Sequence, residues 1–197
     1  IPVDVTFTGP GSSMTVPAFY DGNGLGDVSG NVWKVRFSPG AFGQWSFESA
    51  SAETTLTGYT GTFSVDAPPS TAPDFLRWGR LSYAGDHYLR FIDGGPWLKA
   101  GIDDPENFLG TAFGDWNAKK VAVDALSARG VNSIYAITNN IDGDRNDAWP
   151  WWGSTTAEAK TNSNRFDVVK LQEWEDFFTY CDSRGVAIHV ILNDDSA

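Results

Sequence analysis

Acidic, amide and aromatic side chains gather in three segments, and each segment follows an apolar run with the composition of a buried strand. These segments are residues 103–107, 139–152 and 193–195. Carboxylates and amides hydrogen-bond pairs of hydroxyl groups, and an indole covers the apolar face of a sugar ring. Any single Asp or Asn in such a loop is more often a turn former, and the tryptophans also suit a core beneath a long loop. The three clusters taken together favour carbohydrate binding.

The middle segment is the richest of the three. Its polar and aromatic members are Asn139, Asn140, Asp142, Asp144, Arg145, Asn146, Asp147, Trp149, Trp151 and Trp152. The spacing of Asp142, Asp144 and Asn146 resembles the start of a calcium loop. Asp147 occupies the sixth position, where such a loop has glycine, and Gly153 occupies the twelfth, where it has glutamate. We therefore predict no metal and no cofactor.

Glycoside hydrolysis typically uses two carboxylates on either side of the scissile bond. The candidates by position are Asp103, Asp104, Glu106, Asp194 and Asp195, and none of them lies in a diagnostic motif. The sequence has no G-x-S-x-G nucleophile elbow, and no G-x-G-x-x-G or Walker sequence follows a predicted strand. His189 lies within an apolar run, where a lone histidine is more often a core residue than a ligand.

Two stretches of the sequence repeat the same order of features. In each, a helical stretch ends at a glycine, Gly130 or Gly185, and a β-branched apolar run follows. Glycine directly after a helix adopts the left-handed conformation without steric cost. The apolar run suits a strand that is buried on both faces of a parallel sheet. Two successive helix-to-strand units predict an α/β architecture with right-handed crossovers.

The predicted elements of this half are helices over about residues 118–129 and 167–184 and strands over residues 96–102, 131–138 and 186–192. Asp167 is a suitable N-cap. Three strands and two helices fit the first part of a (β/α)₈ barrel, and they also fit part of a doubly wound sheet. The long strand-to-helix loops and the one-glycine returns favour a barrel with a site at the carboxyl ends of its strands.

The first third of the chain has a different pattern. Residues 1–66 alternate apolar and polar side chains in short runs separated by glycine and proline, which is typical of a small β-sandwich. Residues 66–74 contain three prolines and predict a linker. We therefore expect two domains, residues 1–74 and 75–197, with a hairpin at residues 81–91 near the start of the second.

Charge and cysteine content narrow the class of protein. The chain has 25 acidic and 14 basic side chains, a net charge of −11, which disfavours nucleic acid and anionic membranes as partners. Cys181 is the only cysteine, which excludes an internal disulfide, and its helical spacing predicts a buried thiol. No run approaches the roughly 18 apolar residues of a membrane span.

The chain stops directly after the third predicted strand and begins at Ile1, so we expect a processed fragment of a larger protein.

Seven segments of the chain resemble one known family. Residues 16–22 (Val-Pro-Ala-Phe-Tyr-Asp-Gly), 33–39 and 43–47 are similar to the N-terminal immunoglobulin-like domain of bacterial glycoside-hydrolase-like proteins, the DUF5060 domain. Residues 98–109 resemble the Lys-Gly-Gly-x-(Asp/Ser)-x-Pro-Glu-Asn-Phe-Leu segment that opens the barrel in those proteins, with Ala100 where the family often has glycine. The later matches are residues 140–144, 147–151 and 165–175.

The resemblance implies an immunoglobulin-like β-sandwich followed by the first part, about three strands, of a TIM (β/α)₈ glycosidase barrel. It implies a secreted, periplasmic or cell-surface bacterial glycoside hydrolase whose catalytic glutamates follow strands four and seven, beyond Ala197, so no catalytic residue is assigned. The implied partners are a polysaccharide or oligosaccharide and the remainder of the barrel, in the same chain or as a second fragment. The implied substrate-binding residues are Asp103, Glu106, Asn107, Asn140, Asp142, Trp149, Trp151, His189, Asn193 and Asp194. A non-catalytic carbohydrate-binding or adhesion module, and a purely structural surface module, are the alternatives.

Overall fold

The computed structural model of the protein describes residues 1–85, 87–102, 108–110, 113–142 and 148–192. The chain divides into two compact units, Ile1–Pro69 (unit 1) and Ser70–Ala197 (unit 2). The fold is rich in strands with some helices, and the strands of the described residues form no closed barrel.

Unit 1 consists of short antiparallel strands. They are β1 (Val3–Gly9), β2 (Ser12–Pro17), β3 (Phe19–Tyr20), β4 (Trp33–Lys34), β5 (Gly43–Ser51) and β6 (Thr60–Val65), with a 3₁₀ turn at Thr54–Leu56. Four of them form one sheet in the order β2-β1-β5-β6, and β3 pairs with β4. The predicted β structure of this region is confirmed in the described strands.

Apolar alternation positions the core of unit 1. Val5, Phe7 and Trp45 are buried, and the Phe7 ring stacks on the Phe37 ring at 4.1 Å between centroids. Trp33, Val35 and Phe37 alternate with polar residues, as in a strand that reaches Phe37, but regular pairing ends at Lys34. Phe37 nevertheless packs against the same core, so its burial does not depend on strand pairing.

Unit 2 begins with a small antiparallel sheet. A short helix, α1 (Asp74–Arg77), precedes β7 (Leu81–Tyr83), β8 (Leu89–Phe91) and β9 (Pro96–Trp97). The predicted hairpin is confirmed, because Leu81 pairs with Phe91 and Tyr83 with Leu89.

A parallel sheet with helices forms the rest of unit 2. Its strands, in spatial order, are β10 (Gly101–Ile102), β11 (Ser133–Ile137) and β12 (Ala187–Ile191). The helices are α2 (Trp116–Ser127), α3 (Thr156–Thr161) and α4 (Val168–Ser183). The predicted parallel pairing is confirmed. Helix α3, which the sequence pattern does not predict, begins with a capping box between Thr155 and Glu158.

The predicted strand over residues 96–102 is wrong as a single element. Pro96–Trp97 pairs antiparallel with β8, whereas Gly101–Ile102 pairs parallel with β11. Between them, the side-chain amide of Asn132 donates to the Leu98 carbonyl at 2.9 Å and accepts from the Ala100 N–H at 2.8 Å. A side chain therefore replaces the backbone ladder at this point, and the chain changes from one sheet to the other.

Gly101 brings β10 unusually close to β11. A Cβ atom at this position would lie 2.2 Å from the backbone oxygen of Ser133. Since a carbonyl in a paired strand has little freedom to move, only glycine fits here.

Both repeated glycines end their helices in the same way. Gly130 and Gly185 have φ values of 84° and 68°. The N–H of the residue after each glycine donates to a carbonyl five residues earlier, Val131 to Leu126 at 3.1 Å and Val186 to Cys181 at 3.0 Å. The glycine N–H groups donate to Ser127 and Asp182. Both ends are complete Schellman motifs, which confirms the left-handed glycines predicted from the sequence.

The core of unit 2 lies between the helices and one face of the parallel sheet. Val123, Ile134, Phe177 and Cys181 are fully buried and belong to this core. Burial raises the pKa of the Cys181 thiol to about 12, in keeping with the predicted buried cysteine.

Asp167 caps α4 as predicted, because its carboxylate accepts from the N–H groups of Val169 and Lys170. Helix α2 begins two residues before the predicted start because Asp115 caps it.

Candidate functional site

The parallel sheet carries a polar cluster on the face that is turned away from α2 and α4. Ile134, Ala136 and Ile188 pack into the core beneath the helices. Because side chains alternate along a strand, Tyr135 and His189 face the opposite side. They are register partners on β11 and β12, so their side chains are direct neighbours.

Three side chains form this cluster, which we call the Lys-Tyr-His cluster: Lys99, Tyr135 and His189. The Tyr135 and His189 rings stack with centroids 4.6 Å apart at 29°. The Lys99 ammonium nitrogen lies 3.7 Å from the centre of the Tyr135 ring and 2.7 Å from Nδ1 of His189. A cation over the ring face and a donated hydrogen bond therefore hold Lys99 in one place.

The contact with Lys99 fixes the hydrogen-bonding role of His189. A lysine ammonium has only donors, so Nδ1 of a neutral His189 is the acceptor and Nε2 carries the proton. His189 is exposed and Tyr135 half-buried. The cluster therefore presents an imidazole N–H, a phenol and an ammonium group, which together can donate to and accept from the hydroxyl groups of a bound molecule.

Beyond the carboxyl end of β11, Asn140 and Asp142 have different surroundings. Asn140 is fully buried. Its N–H donates to the Ala148 carbonyl at 2.7 Å, and its carbonyl accepts from the Ala148 N–H at 3.2 Å. Asp142 has a φ of 61° and forms an ion pair with Lys160 on α3. The first residue therefore anchors the loop, and the second has an exposed carboxylate that already contacts a cation.

The tryptophans that follow pack against cations and other rings. The Trp149 indole N–H donates to the Gly153 carbonyl at 3.2 Å, and the Lys170 ammonium lies 4.6 Å from the centre of the Trp149 ring. The Trp151 ring lies 4.9 Å from the Phe166 ring. Trp149 also lines a cavity between α2 and α4. The predicted substrate-binding residues Trp149 and His189 therefore lie in different places, the cavity and the Lys-Tyr-His cluster.

Half of the ten predicted substrate-binding residues can be located. Asn140, Asp142, Trp149, Trp151 and His189 lie where described above. Asp103, Glu106, Asn107, Asn193 and Asp194 lie outside the described residues. Lys99 and Tyr135 were not among the predicted residues. Lys99 is the lysine of the family-like segment at residues 98–109, and the signal for Tyr135 is its place between Ile134 and Ala136 in an apolar run.

No metal site emerges from the part of the chain that the structure describes, where no three His, Cys, Asp or Glu side chains could hold one ion together. Of the predicted calcium-like spacing, Asp144 and Asn146 lie outside the described residues. A search of the same residues for a helix long and apolar enough to cross a membrane found none.

Comparison with known proteins gives two matches. The model of the domain of unknown function DUF5060 matches residues 1–52, which supports the predicted resemblance over that region. No curated protein matches. The crystal structure of a "putative glycoside hydrolase" from Bacteroides vulgatus ATCC 8482 superposes with a TM-score of 0.75 at 20% identity. The match covers 97% of this chain and 36% of that protein, so this chain shares its fold with about a third of a larger glycoside-hydrolase-like protein.

Proposed function

We propose that this chain is the N-terminal part of a secreted glycoside hydrolase that acts on a polysaccharide or oligosaccharide. Unit 1 is an immunoglobulin-like accessory domain, and unit 2 is the first part of a (β/α)₈ barrel. The face of the parallel sheet opposite α2 and α4 forms one wall of the substrate cleft. The likeness in fold to a glycoside-hydrolase-like protein over nearly the whole chain is the observation that carries this proposal.

The order of the parallel strands supports the barrel. Strands β10, β11 and β12 are neighbours in space in the same order as in the sequence, as successive strands of a barrel are. A barrel has helices outside and its site at the carboxyl ends of the strands. The core between the sheet and its helices leaves the Lys-Tyr-His cluster on the opposite face, where a barrel places its interior.

The chemistry of the cluster favours binding over bond cleavage within this wall. Lys99, Tyr135 and His189 include no carboxylate, and glycoside hydrolysis typically needs two. The catalytic carboxylates therefore come from other residues of the protein, and this wall orients the sugar through its hydroxyl groups. The same observation supports a second candidate, a carbohydrate-binding or adhesion protein without hydrolytic activity.

The proposed cleft wall can be tested with Tyr135→Phe and His189→Ala variants of the full-length protein. Affinity electrophoresis measures how strongly each variant and the parent protein bind soluble polysaccharides. Each loss of a hydrogen bond to a hydroxyl group should weaken binding about tenfold. His87→Ala is the matched control, because His87 is exposed in a bend near the hairpin. Unchanged binding by both variants would contradict the proposed wall.

Hydrolysis separates the two candidates. The full-length protein should release reducing sugar from the polysaccharide that it retains. If the protein binds a polysaccharide but releases no reducing sugar from it, the carbohydrate-binding function is supported and the hydrolase is not. If the protein binds no polysaccharide, both candidates are contradicted.

A further inference from the structure

A cavity of about 270 Å³ lies in unit 2 between the first turns of α2 and α4 and the chain around Ala148. Its lining residues are Leu109, Gly114, Asp115, Trp116, Lys119, Ala148, Trp149, Lys170, Glu173 and Trp174. It lies between α2 and α4, whereas the Lys-Tyr-His cluster lies on the face of the sheet opposite these helices. We call it the tryptophan pocket.

Two lysines enter the tryptophan pocket, and each is held over an indole. Lys119 is 3% exposed; its ammonium donates to the Gly110 carbonyl at 2.7 Å and lies 4.0 Å from the centre of the Trp116 ring. The Lys170 ammonium donates to the Trp151 carbonyl at 3.2 Å and lies over the Trp149 ring. An ammonium group has three donors, so each lysine keeps donors beyond its one backbone contact.

Glu173 completes the polar lining. Its carboxylate acts electrostatically on both lysines, where it opposes the lowering of their pKa that burial causes. Glu173 is exposed at the edge of the pocket. The pocket therefore combines fixed donors, a carboxylate acceptor and the partly exposed rings of Trp116 and Trp149.

These groups select one class of ligand. A cation is disfavoured because the lysines already lie over the indoles, and an anion is disfavoured because Asp115 and Glu173 line the same space. A wholly apolar molecule would offer no hydrogen-bond partner to the remaining donors of Lys119 and Lys170 or to the Glu173 carboxylate, which is costly. A neutral ring with hydroxyl groups at its edge and C–H groups on its face satisfies both the donors and the indoles.

We propose that the tryptophan pocket is a saccharide-binding site for a single neutral pyranose unit, separate from the proposed substrate cleft. Its volume lies just below the roughly 300–1,000 Å³ of sites for drug-sized ligands, which suits one sugar ring. If the protein acts on a polysaccharide, as proposed above, this site would bind a second part of the same polysaccharide molecule. The choice of a sugar follows from the lining residues and does not depend on hydrolysis.

The experiment is ¹⁹F NMR of the full chain labelled with 5-fluorotryptophan, titrated with methyl glucopyranoside, galactopyranoside and mannopyranoside. At least one sugar should shift the Trp149 resonance, with a dissociation constant of the order of 1 mM. Glu173→Gln, an isosteric change at an exposed residue, should weaken that sugar about tenfold, the size of one lost charge-assisted hydrogen bond. Trp149→Ala should abolish binding, provided that its spectrum is that of a folded protein.

Two control variants make the test specific. Trp152→Ala removes a neighbouring indole that is exposed and lies under Arg165, and Glu48→Gln makes the same change as Glu173→Gln on β5 of unit 1. Both should bind like the parent.

The contrary results are equally definite. A Trp149 resonance that no sugar shifts, that shifts with sulfate alone, or whose titration is unaffected by Glu173→Gln would overturn the proposal. The outcome is independent of the cleft, because Tyr135→Phe and His189→Ala should leave this titration unchanged.

Discussion

A cavity within the core of unit 1 and the tryptophan pocket of unit 2 differ in both size and lining. The cavity of unit 1 has a volume of about 700 Å³ and is lined mainly by Val, Phe and Trp side chains. The tryptophan pocket of unit 2 is less than half as large and contains two lysines and two carboxylates. The larger space is therefore the less equipped for specific binding, since specificity needs a few converging polar groups as well as volume.

The cavity of unit 1 belongs to the core itself. Its lining includes Val5 and Phe7, which are core residues, and Phe37, Phe47 and Phe63, which pack against them. The cavity is also lined by Trp33 and Lys34 of β4, which pairs with β3 over only two residues per strand. We interpret this cavity as incomplete packing of the core of unit 1. The tryptophan pocket of unit 2 also borders a core, through Leu109, Ala148 and Trp174, but two lysines and two carboxylates line it as well.

The largest expected effect comes from adding a Cβ atom where each unit has a close contact. Gly101→Ala in unit 2 meets the Ser133 backbone oxygen at 2.2 Å, whereas Gly61→Ala in unit 1 meets the end of the Phe47 ring at 2.6 Å. The Phe47 ring borders the large cavity and can move into it. We expect Gly101→Ala to cost about 3 kcal/mol or more of unfolding free energy and Gly61→Ala clearly less.

Urea denaturation of the two variants measures this difference. Gly95→Ala is the control, because a Cβ atom there has nothing within 4 Å. Equal losses of unfolding free energy for Gly61→Ala and Gly101→Ala would mean that the Phe47 ring does not move into the cavity of unit 1 to make room for the added Cβ atom.

A smaller effect is expected from adding one methylene to each core. Val123 is fully buried between helix and sheet, so Val123→Leu should destabilise the protein by about 1–3 kcal/mol. Val5 lines the large cavity, so Val5→Leu should have no cost or a gain of up to about 0.8 kcal/mol. Thermal denaturation of both variants tests this, and a similar loss for Val5→Leu would show that the cavity of unit 1 is not available to a larger side chain.

The smallest effect is expected from an exposed ion pair between the helices of unit 2. Arg184 donates to Asp124 at 2.6 Å and Tyr180 donates to it at 2.7 Å. The hydrogen bond from Arg184, followed by that from Tyr180, lowers the pKa of Asp124. A carboxylate whose pKa is lower in the folded state stabilises the protein above its unfolded pKa of about 3.9, and this contribution is lost as the pH falls through the folded pKa.

Melting temperatures of the parent and Asp124→Asn, measured from neutral to acidic pH, test this coupling. The parent should melt slightly higher at neutral pH, and the difference should disappear in acid and shrink in high salt. Asp182→Asn, on the adjacent helix α4, is the control. A difference that persists in acid would mean that Asp124 acts through packing and not through its charge.

The sequence predicts local features of unit 2 better than it predicts which side chains meet. The helix ends at Gly130 and Gly185 depend on nearby backbone contacts alone, and both were predicted. The pairing of Tyr135 with His189 depends on register. Two residues separate Gly130 from β11, but only one separates Gly185 from β12, so an alignment of the two repeats by their glycines puts His189 opposite Ile134, on the wrong face.

Two other misses have the same origin. The division of residues 96–102 between two sheets depends on the side chain of Asn132, more than 30 positions away in the sequence. The position of Trp149 in a pocket with Trp116 and Trp174 depends on how α2 and α4 pack. Composition and periodicity contain no information on such contacts.

The unequal spacing after the two helix-ending glycines shows where the gene can change in length. The link after Gly130 is one residue longer than the link after Gly185, yet Ile134 and Ile188 pack into the same core. A one-residue insertion between Gly185 and β12 can therefore be absorbed in the link. The same insertion inside β12 would turn the residues after it to the opposite face, because side chains alternate along a strand, so homologous sequences should differ in length in the links and not within the strand.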